Sequence, residues 1–272
     1  MSTQNNPDSY PQEYIGAIRE DYLALAAKVG KVIKDRAIEM MDIREGFTVL
    51  DAGCGSGEDL VSLANRVGAV GQVVGLDFDA GLLAEAQKAV GAANVSERVV
   101  LREGSLLQLP FADNHFDVVH TERVLMHIKE AETAVQELAR VTKPGGKVVL
   151  VENDYGSFSV ETPHMEIFRR YSTWAIEQAL ANGFAGRKLK SQMTKVGLKE
   201  IEIEIMPWDY TNYAVFAALT NDSKRVSNPA IALGVITQEE WEAYDQGLQK
   251  LDAEGAFFAT CNLILTSGVK PA

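Results

Sequence analysis

The stretch VLDAGCGSGEDL, residues 49–60, sets three glycines in alternation behind a short apolar run and an acid. An apolar run closing on such a turn, with helical spacing beyond it, reads as strand, loop and helix. Glycine opens conformations closed to other residues and lets a ligand approach the backbone. In open α/β sheets that approach occurs in the crevice past the carboxyl ends of the strands. A tight turn that binds nothing carries the same residues, so neighbouring chemistry must separate the two readings.

Working outward from this turn, FTVL (47–50), VVGL (73–76), VVL (99–101), FDVV (116–119) and KVVLV (147–151) are continuous apolar runs. Continuous rather than alternating runs suit parallel strands covered on both faces. Between them, Leu60, Leu63, Ala64 and Val67 form one helical stripe. Leu82, Ala86, Ala89 and Val90 form a second, and Ala134, Leu138 and Val141 a third. Strands alternating with helices predict an α/β, doubly wound sheet.

Residues 13–45 carry helical patterning, and 1–46 are expected to form an N-terminal helical cap ahead of a main domain at 47–272. Insertions at about 155–198 and 207–256 are expected to act as lids. Within them, Phe168, Tyr171, Ala175 and Ala179 predict a helix stopped near Asn182-Gly183. KEIEIEIMP alternates Ile201, Ile203 and Ile205 with glutamates, predicting a strand with one wet face closed by Pro207. Thr237 and Glu240 make a capping box ahead of Trp241, Tyr244, Leu248 and Leu251, and FFATCNLILTSG reads as a last strand.

The acids sort the possible ligands of the opening turn. The G-x-G-x-x-G dinucleotide form lacks its third glycine, because Glu58 stands there. Glu58 and Asp59 also sit where a helix N-terminus would otherwise attract a pyrophosphate. With Asp51 they suit a cationic group, such as the ammonium and sulfonium of S-adenosylmethionine. Asp77, ending the second strand run, is placed to accept ribose hydroxyls, and Phe78 to pack on the adenine. Asp79 is read as an N-cap for a helix at 80–90.

The chain resembles the class I S-adenosylmethionine-dependent methyltransferases, in the broad group of ubiquinone and menaquinone methyltransferases and many natural-product enzymes. VLDAGCGSG, VVGLDFD, REGSLLQLPFADNHFDVV, ERVLMHI and ELARVTKPGGKVVLVEND carry the resemblance over roughly 47–155, and AGRKLKSQM and VGLKEIEI extend it weakly. It implies a Rossmann-like seven-stranded sheet with the last strand antiparallel. It also implies that Asp51, Gly53 and Gly55 line the methionine end of the cofactor, Asp77 holds the ribose, Phe78 flanks the adenine, and Ser105 and Leu106 meet its edge. Ser105 departs from the acid usual at that position.

Methyl transfer from a sulfonium is an in-line displacement, and holding the reactants in line supplies ~7–11 kcal/mol in favourable cases. A general base adds ~10²–10⁴-fold. His127 and Asp154 are candidates for it, among His120, Glu122, Glu152, Tyr155 and His164, and no choice follows from the sequence. Aromatic residues at 158–216, Trp208 and Tyr210 among them, point to a small apolar or aromatic substrate methylated on carbon or oxygen rather than nitrogen. A cofactor-binding protein without turnover and an NAD-dependent oxidoreductase are the alternatives.

Net charge is -12, from 26 Lys and Arg against 38 Asp and Glu, which disfavours nucleic acid as a partner. Arg187, Lys188, Lys190, Lys195 and Lys199 read as a solvated basic face. No apolar run reaches the ~18 residues of a membrane span, and the start lacks a signal-peptide pattern, so a cytoplasmic protein is expected. Cys54 and Cys261 have no metal-type spacing, and no metal is expected. A homo-oligomer is compatible with all of this.

Overall fold

The computed structural model describes residues 30–220 and 227–272, so most of the expected cap at 1–46 lies outside the described residues. A helix, α1 (Lys31–Met40), precedes β1 (Thr48–Ala52), α2 (Leu60–Val67), β2 (Gln72–Asp77), α3 (Ala80–Ala92), β3 (Val99–Glu103) and β4 (Phe116–Glu122). Then come α4 (Ala131–Val141), β5 (Thr142–Val160), α5 (Met165–Trp174), α6 (Ala185–Lys195) and β6 (Lys199–Tyr210). Three further helices follow: α7 (Tyr213–Thr220), α8 (Ser227–Ala232) and α9 (Gln238–Ala253). The last strand is β7 (Ala259–Val269).

The seven strands run in the order β3-β2-β1-β4-β5-β7-β6. β1 to β5 pair in parallel, and β7 inserts antiparallel between β5 and β6. The sheet reverses its winding between β1 and β4, which is where ligands bind in such folds. Two apolar layers cover it. Residues of α1, α2 and α3 fill one side, with Leu60, Leu63, Ala64 and Val67 fully buried, and residues of α4 and α6 fill the other.

Local signals explain the helix ends. The Asp79 side chain accepts from Gly81 N at 2.7 Å and Leu82 N at 3.2 Å, capping α3 as expected. The Thr237–Glu240 capping box is present on α9 and turns Trp241, Tyr244 and Leu248 inward. After α5 the chain makes a π turn over Ala175–Ala179 and then leaves the helix at Leu180. Asn182 is buried: its side chain donates to Leu125 O and accepts from Lys188 Nζ.

β6 corrects the sequence reading. Ile203 and Ile205 are 41% and 63% exposed, while Trp208 and Tyr210 are buried. Register slips between Lys199 and Glu202, where Glu200 takes a left-handed φ of 51°. One extra residue reverses which side chains face the core. Pro207 does not end the strand, which continues to Tyr210; β6 is an edge strand, where a missing N–H is tolerated.

Candidate active site

The site grows from the ends of β1, β2 and β4. Gly53 N and Cys54 N both donate to Leu76 O, at 2.6 and 3.0 Å, so the loop after β1 folds back on β2. Gly53, Gly55 and Gly57 all have left-handed φ, at 83°, 53° and 83°. A Cβ on Gly53 would stand 2.4 Å from Val124 Cγ2, whereas one on Gly55 would meet nothing within 4 Å. Gly55 therefore leaves its space open. Its N–H donates to Asp77 Oδ2 at 2.8 Å, and Asp79 N donates to Oδ1 at 2.9 Å.

A cleft open to solvent lies over this loop. Asp51, Glu58, Asp59 and Glu122 line it against two cations, Lys34 and Arg123. Lys34 reaches in from α1, 2.6 Å from Asp59 and 3.5 Å from Glu122. Arg123 Nε stands 3.1 Å from Glu122, on a backbone with φ of 56°. Sparsely populated backbone conformations of this kind concentrate at functional sites.

Burial, reinforced by Asp59, raises the Asp51 carboxyl well above its ordinary value. Burial raises Glu58 as well, against the pull of Lys34. At Glu122 burial pushes the same way, but Lys34 and Arg123 outweigh it and hold the group low. His120 is buried, with Nδ1 3.1 Å from Val149 O, and burial lowers its basicity. Ligand-type atoms of Asp59, His120 and Glu122 lie within 4.8 Å of one another, and the Lys34 ammonium already pairs with both acids.

Asp51, Gly53 and Gly55 line the cleft, and Asp77 is bonded to its loop. Phe78 follows Asp77 and is 44% exposed. Ser105 and Leu106 follow β3, which pairs with β2 up to Asp77↔Glu103. Ser105 Oγ accepts from Leu107 N, and Leu106 is buried.

The acid and base candidates separate. His127 ends a short turn at Leu125–His127 and lines neither cleft described here. Asp154 is buried and accepts from Arg187 Nε at 2.8 Å, also outside both linings. Glu152 accepts the backbone N–H groups of Val124, Leu125 and Met126, fixing the turn after β4.

A second cleft adjoins the first through Arg123, which lines both. Its other walls are Asn153, Tyr155, Trp208, Tyr210, Thr220 and Cys261. Trp208 and Tyr210 come from the aromatic set expected near a substrate. Phe158, Phe168, Tyr213 and Phe216 instead form ring contacts with one another and with Tyr244 and Phe257. Sequence reasoning missed Lys34, Arg123 and Asn153. The ERVLMHI motif contained Arg123, but nothing in α1 marked Lys34 as the residue that reaches the loop.

A methyltransferase domain family matches residues 50–150. The demethylmenaquinone methyltransferase of Halalkalibacterium halodurans is 31% identical over 188 residues, covering 64% of this chain and 76% of that protein. The 2-phytyl-1,4-naphtoquinone methyltransferase of Trichormus variabilis is 33% identical over 157 residues, covering 58% and 65%. Among solved structures, the YcgJ protein of Bacillus subtilis superposes with a TM-score of 0.63 at 18% identity, over 88% of this chain and 98% of that one. Across these and several further curated relatives the chain spans between 44% and 86% of the relative's own length.

Proposed function

This chain belongs to the class I S-adenosylmethionine-dependent methyltransferases, and from that premise we propose that it methylates a small aromatic, quinone-like molecule on carbon or oxygen. The observation that carries this reading is the acid-lined cleft over the glycine loop, joined at Arg123 to a second, aromatic cleft. Acids outnumber cations four to two in the first lining, which suits a ligand with a cationic end. The open space over Gly55 and the inward acids fit S-adenosylmethionine. They do not suit a pyrophosphate, against which these carboxylates would act.

When bound, S-adenosylmethionine supplies an electrophilic methyl group on a sulfonium. In this reading Asp51, Gly53 and Gly55 hold its methionine end, and Asp77 its ribose. Phe78, Ser105 and Leu106 border the adenine. The protein's task is alignment and exclusion of water, worth ~7–11 kcal/mol in favourable cases. Glu152 supports that alignment by clamping Val124 to Met126, and Val124 in turn packs where a Gly53 Cβ would be. His127 and Asp154 stay as candidate groups at the strand ends. Because Asp154 is already held by Arg187, we read it as a positioning residue.

The quinone-like acceptor is suggested by what the two named relatives act on, and Trp208 and Tyr210 offer it stacking surface. Of the segments expected as lids, about 155–198 and 207–256, residues 155–160 continue β5, α6 packs on the sheet and 207–210 complete β6, so the lid reading is kept for α5 and for α7 to α9, with α1 as part of the cap. Isothermal titration with S-adenosylmethionine tests the first half of this reading, and absence of binding at millimolar ligand overturns it. Incubation with a reduced naphthoquinone and mass spectrometry tests the second, through the gain of one CH2 unit.

A further inference from the structure

The second cleft contains a buried donor without a partner among the described residues. Trp208 is 6% exposed, and its indole Nε1–H makes no hydrogen bond to any of them. An unsatisfied buried donor costs about 1–3 kcal/mol, so native structures seldom keep one without a use. Among the described residues Thr121, Thr266 and Gln192 also carry buried oxygens without a hydrogen bond, but none of them lines either cleft; Glu122 Oε2 and Arg123 Nε do line a cleft, and those two side chains are ion-paired to each other. Trp208 does line one.

Three features of that cleft define what would satisfy the indole. The N–H can only donate, so its partner must be an acceptor. Among the described residues no carboxylate lines the cleft, whereas Arg123, Asn153 and Tyr155 all carry donors. The Trp208 and Tyr210 rings lie nearly parallel, 12° apart with centroids at 6.2 Å, and the Arg123 guanidinium stands 5.5 Å from the Trp208 ring centroid. These contacts hold the indole in one orientation beside the only residue shared by the two described clefts.

We infer that Trp208 is a specificity-determining residue: its indole N–H donates to a ring oxygen of the methyl acceptor, selecting flat aromatic molecules that bear a hydroxyl, carbonyl or ionised oxygen. This rests on the methyltransferase reading above and adds the recognition element to it. Donation to an oxygen that carries negative charge is stronger than to a neutral one, so the same contact favours a phenolate or enolate form. A hydrocarbon of equal shape leaves the donor unpaired and is rejected.

The test uses the full chain with 1-naphthol and naphthalene as probes, alongside S-adenosylmethionine. The wild-type protein is expected to bind 1-naphthol about 5- to 100-fold tighter than naphthalene, as one buried hydrogen bond implies. Trp208→Phe keeps an aromatic ring and removes the donor, and should erase most of that preference, weakening 1-naphthol by clearly more than it weakens naphthalene. The ¹⁵N–¹H indole signal lost in W208F should shift when wild-type protein binds 1-naphthol and stay still with naphthalene. Equal loss of both probes would make Trp208 a packing residue only, and an unchanged preference, an unmoved indole signal or no naphthol binding would each overturn the inference. S-adenosylmethionine binding separates the two readings: if it persists, only the role of Trp208 falls; if it is absent from the wild type, the methyltransferase reading falls.

Discussion

The Asp77 carboxylate accepts the backbone N–H of Gly55 at 2.8 Å, so the end of β2 holds the glycine loop that follows β1. One side chain thereby shapes the loop and stands where the ribose is proposed to bind. Burial raises the Asp77 carboxyl, and the N–H groups of Asp79 and Gly55 pull it back toward ionisation. Asp77→Asn removes the charge and one acceptor while keeping the volume. Affinity for S-adenosylmethionine should fall by about tenfold or more, with a stability loss of about 1–2 kcal/mol. Titration calorimetry and urea unfolding measure the two, and unchanged affinity would remove Asp77 from the site.

Two glycines in one loop should fail in different ways. Gly53→Ala combines a φ of 83° with a Cβ 2.4 Å from Val124 Cγ2, so it should destabilise by about 2–4 kcal/mol. Gly55→Ala has no such neighbour, and its φ of 53° costs about 1–2 kcal/mol. Its methyl group, however, would stand in space the ligand needs. Thermal unfolding should rank Gly53→Ala as the less stable, and cofactor titration should show Gly55→Ala as markedly weaker relative to its stability.

Glu152 gives the fold a pH dependence of defined sign. Burial pushes its carboxyl up to about 8, against three backbone N–H groups that favour the charged form. A folded value above the ordinary 4.5 means the folded state holds the proton more tightly than the unfolded chain. Its contribution to stability is therefore complete below about 4.5 and declines as pH rises toward about 8. Asp51, Asp77 and Glu58 are also raised and act in the same direction. Glu152→Gln should flatten this fall without abolishing it, as read by urea midpoints at a series of pH values between 5 and 9. An unchanged slope would show that Glu152 is already ionised in the fold.

The central sheet could be read from sequence because its signals are local: apolar runs flanked by helical stripes, glycines at the turn, and Asp79 and Thr237 as caps. β6 could not be read as fully. Its isoleucines and glutamates alternate cleanly, but a bulge near Glu200 reverses the faces, and a bulge depends on pairing with β7 rather than on the strand's own residues. Lys34 was hidden for a related reason, since it reaches the cleft from a helix that precedes the sheet and carries no local mark of that contact. The exposed position of Ile205 leads to a check: Ile205→Thr should shift stability by no more than about 0.5 kcal/mol. A loss above 2 kcal/mol would restore the simple alternating strand.

Lys34 connects the helix before the sheet to the acids of the cofactor cleft, and its removal should be felt through them. The ammonium pairs with Asp59 and Glu122, and all three side chains are at most 14% exposed. Burial alone would lower the Lys34 value, and the two acids more than reverse it. Lys34→Met keeps most of the length, leaving the Asp59 carboxylate without its counterion and Glu122 with Arg123 alone. Breaking a buried pair from one side costs about 3–5 kcal/mol, and the slight exposure here puts the expectation near the lower end, about 3 kcal/mol at pH 7. Glu122 is held below its ordinary 4.5, so its share of the stability is present above that value and lost as pH falls through the lower, folded one. The difference between wild type and Lys34→Met should therefore shrink as pH drops from 7 toward 4, because protonation of Glu122, which comes sooner once the ammonium is gone, removes a charge that the ammonium offsets. Urea unfolding of both proteins at the two pH values measures this, and a gap of equal size at pH 4 would assign Lys34 a packing role in place of an electrostatic one.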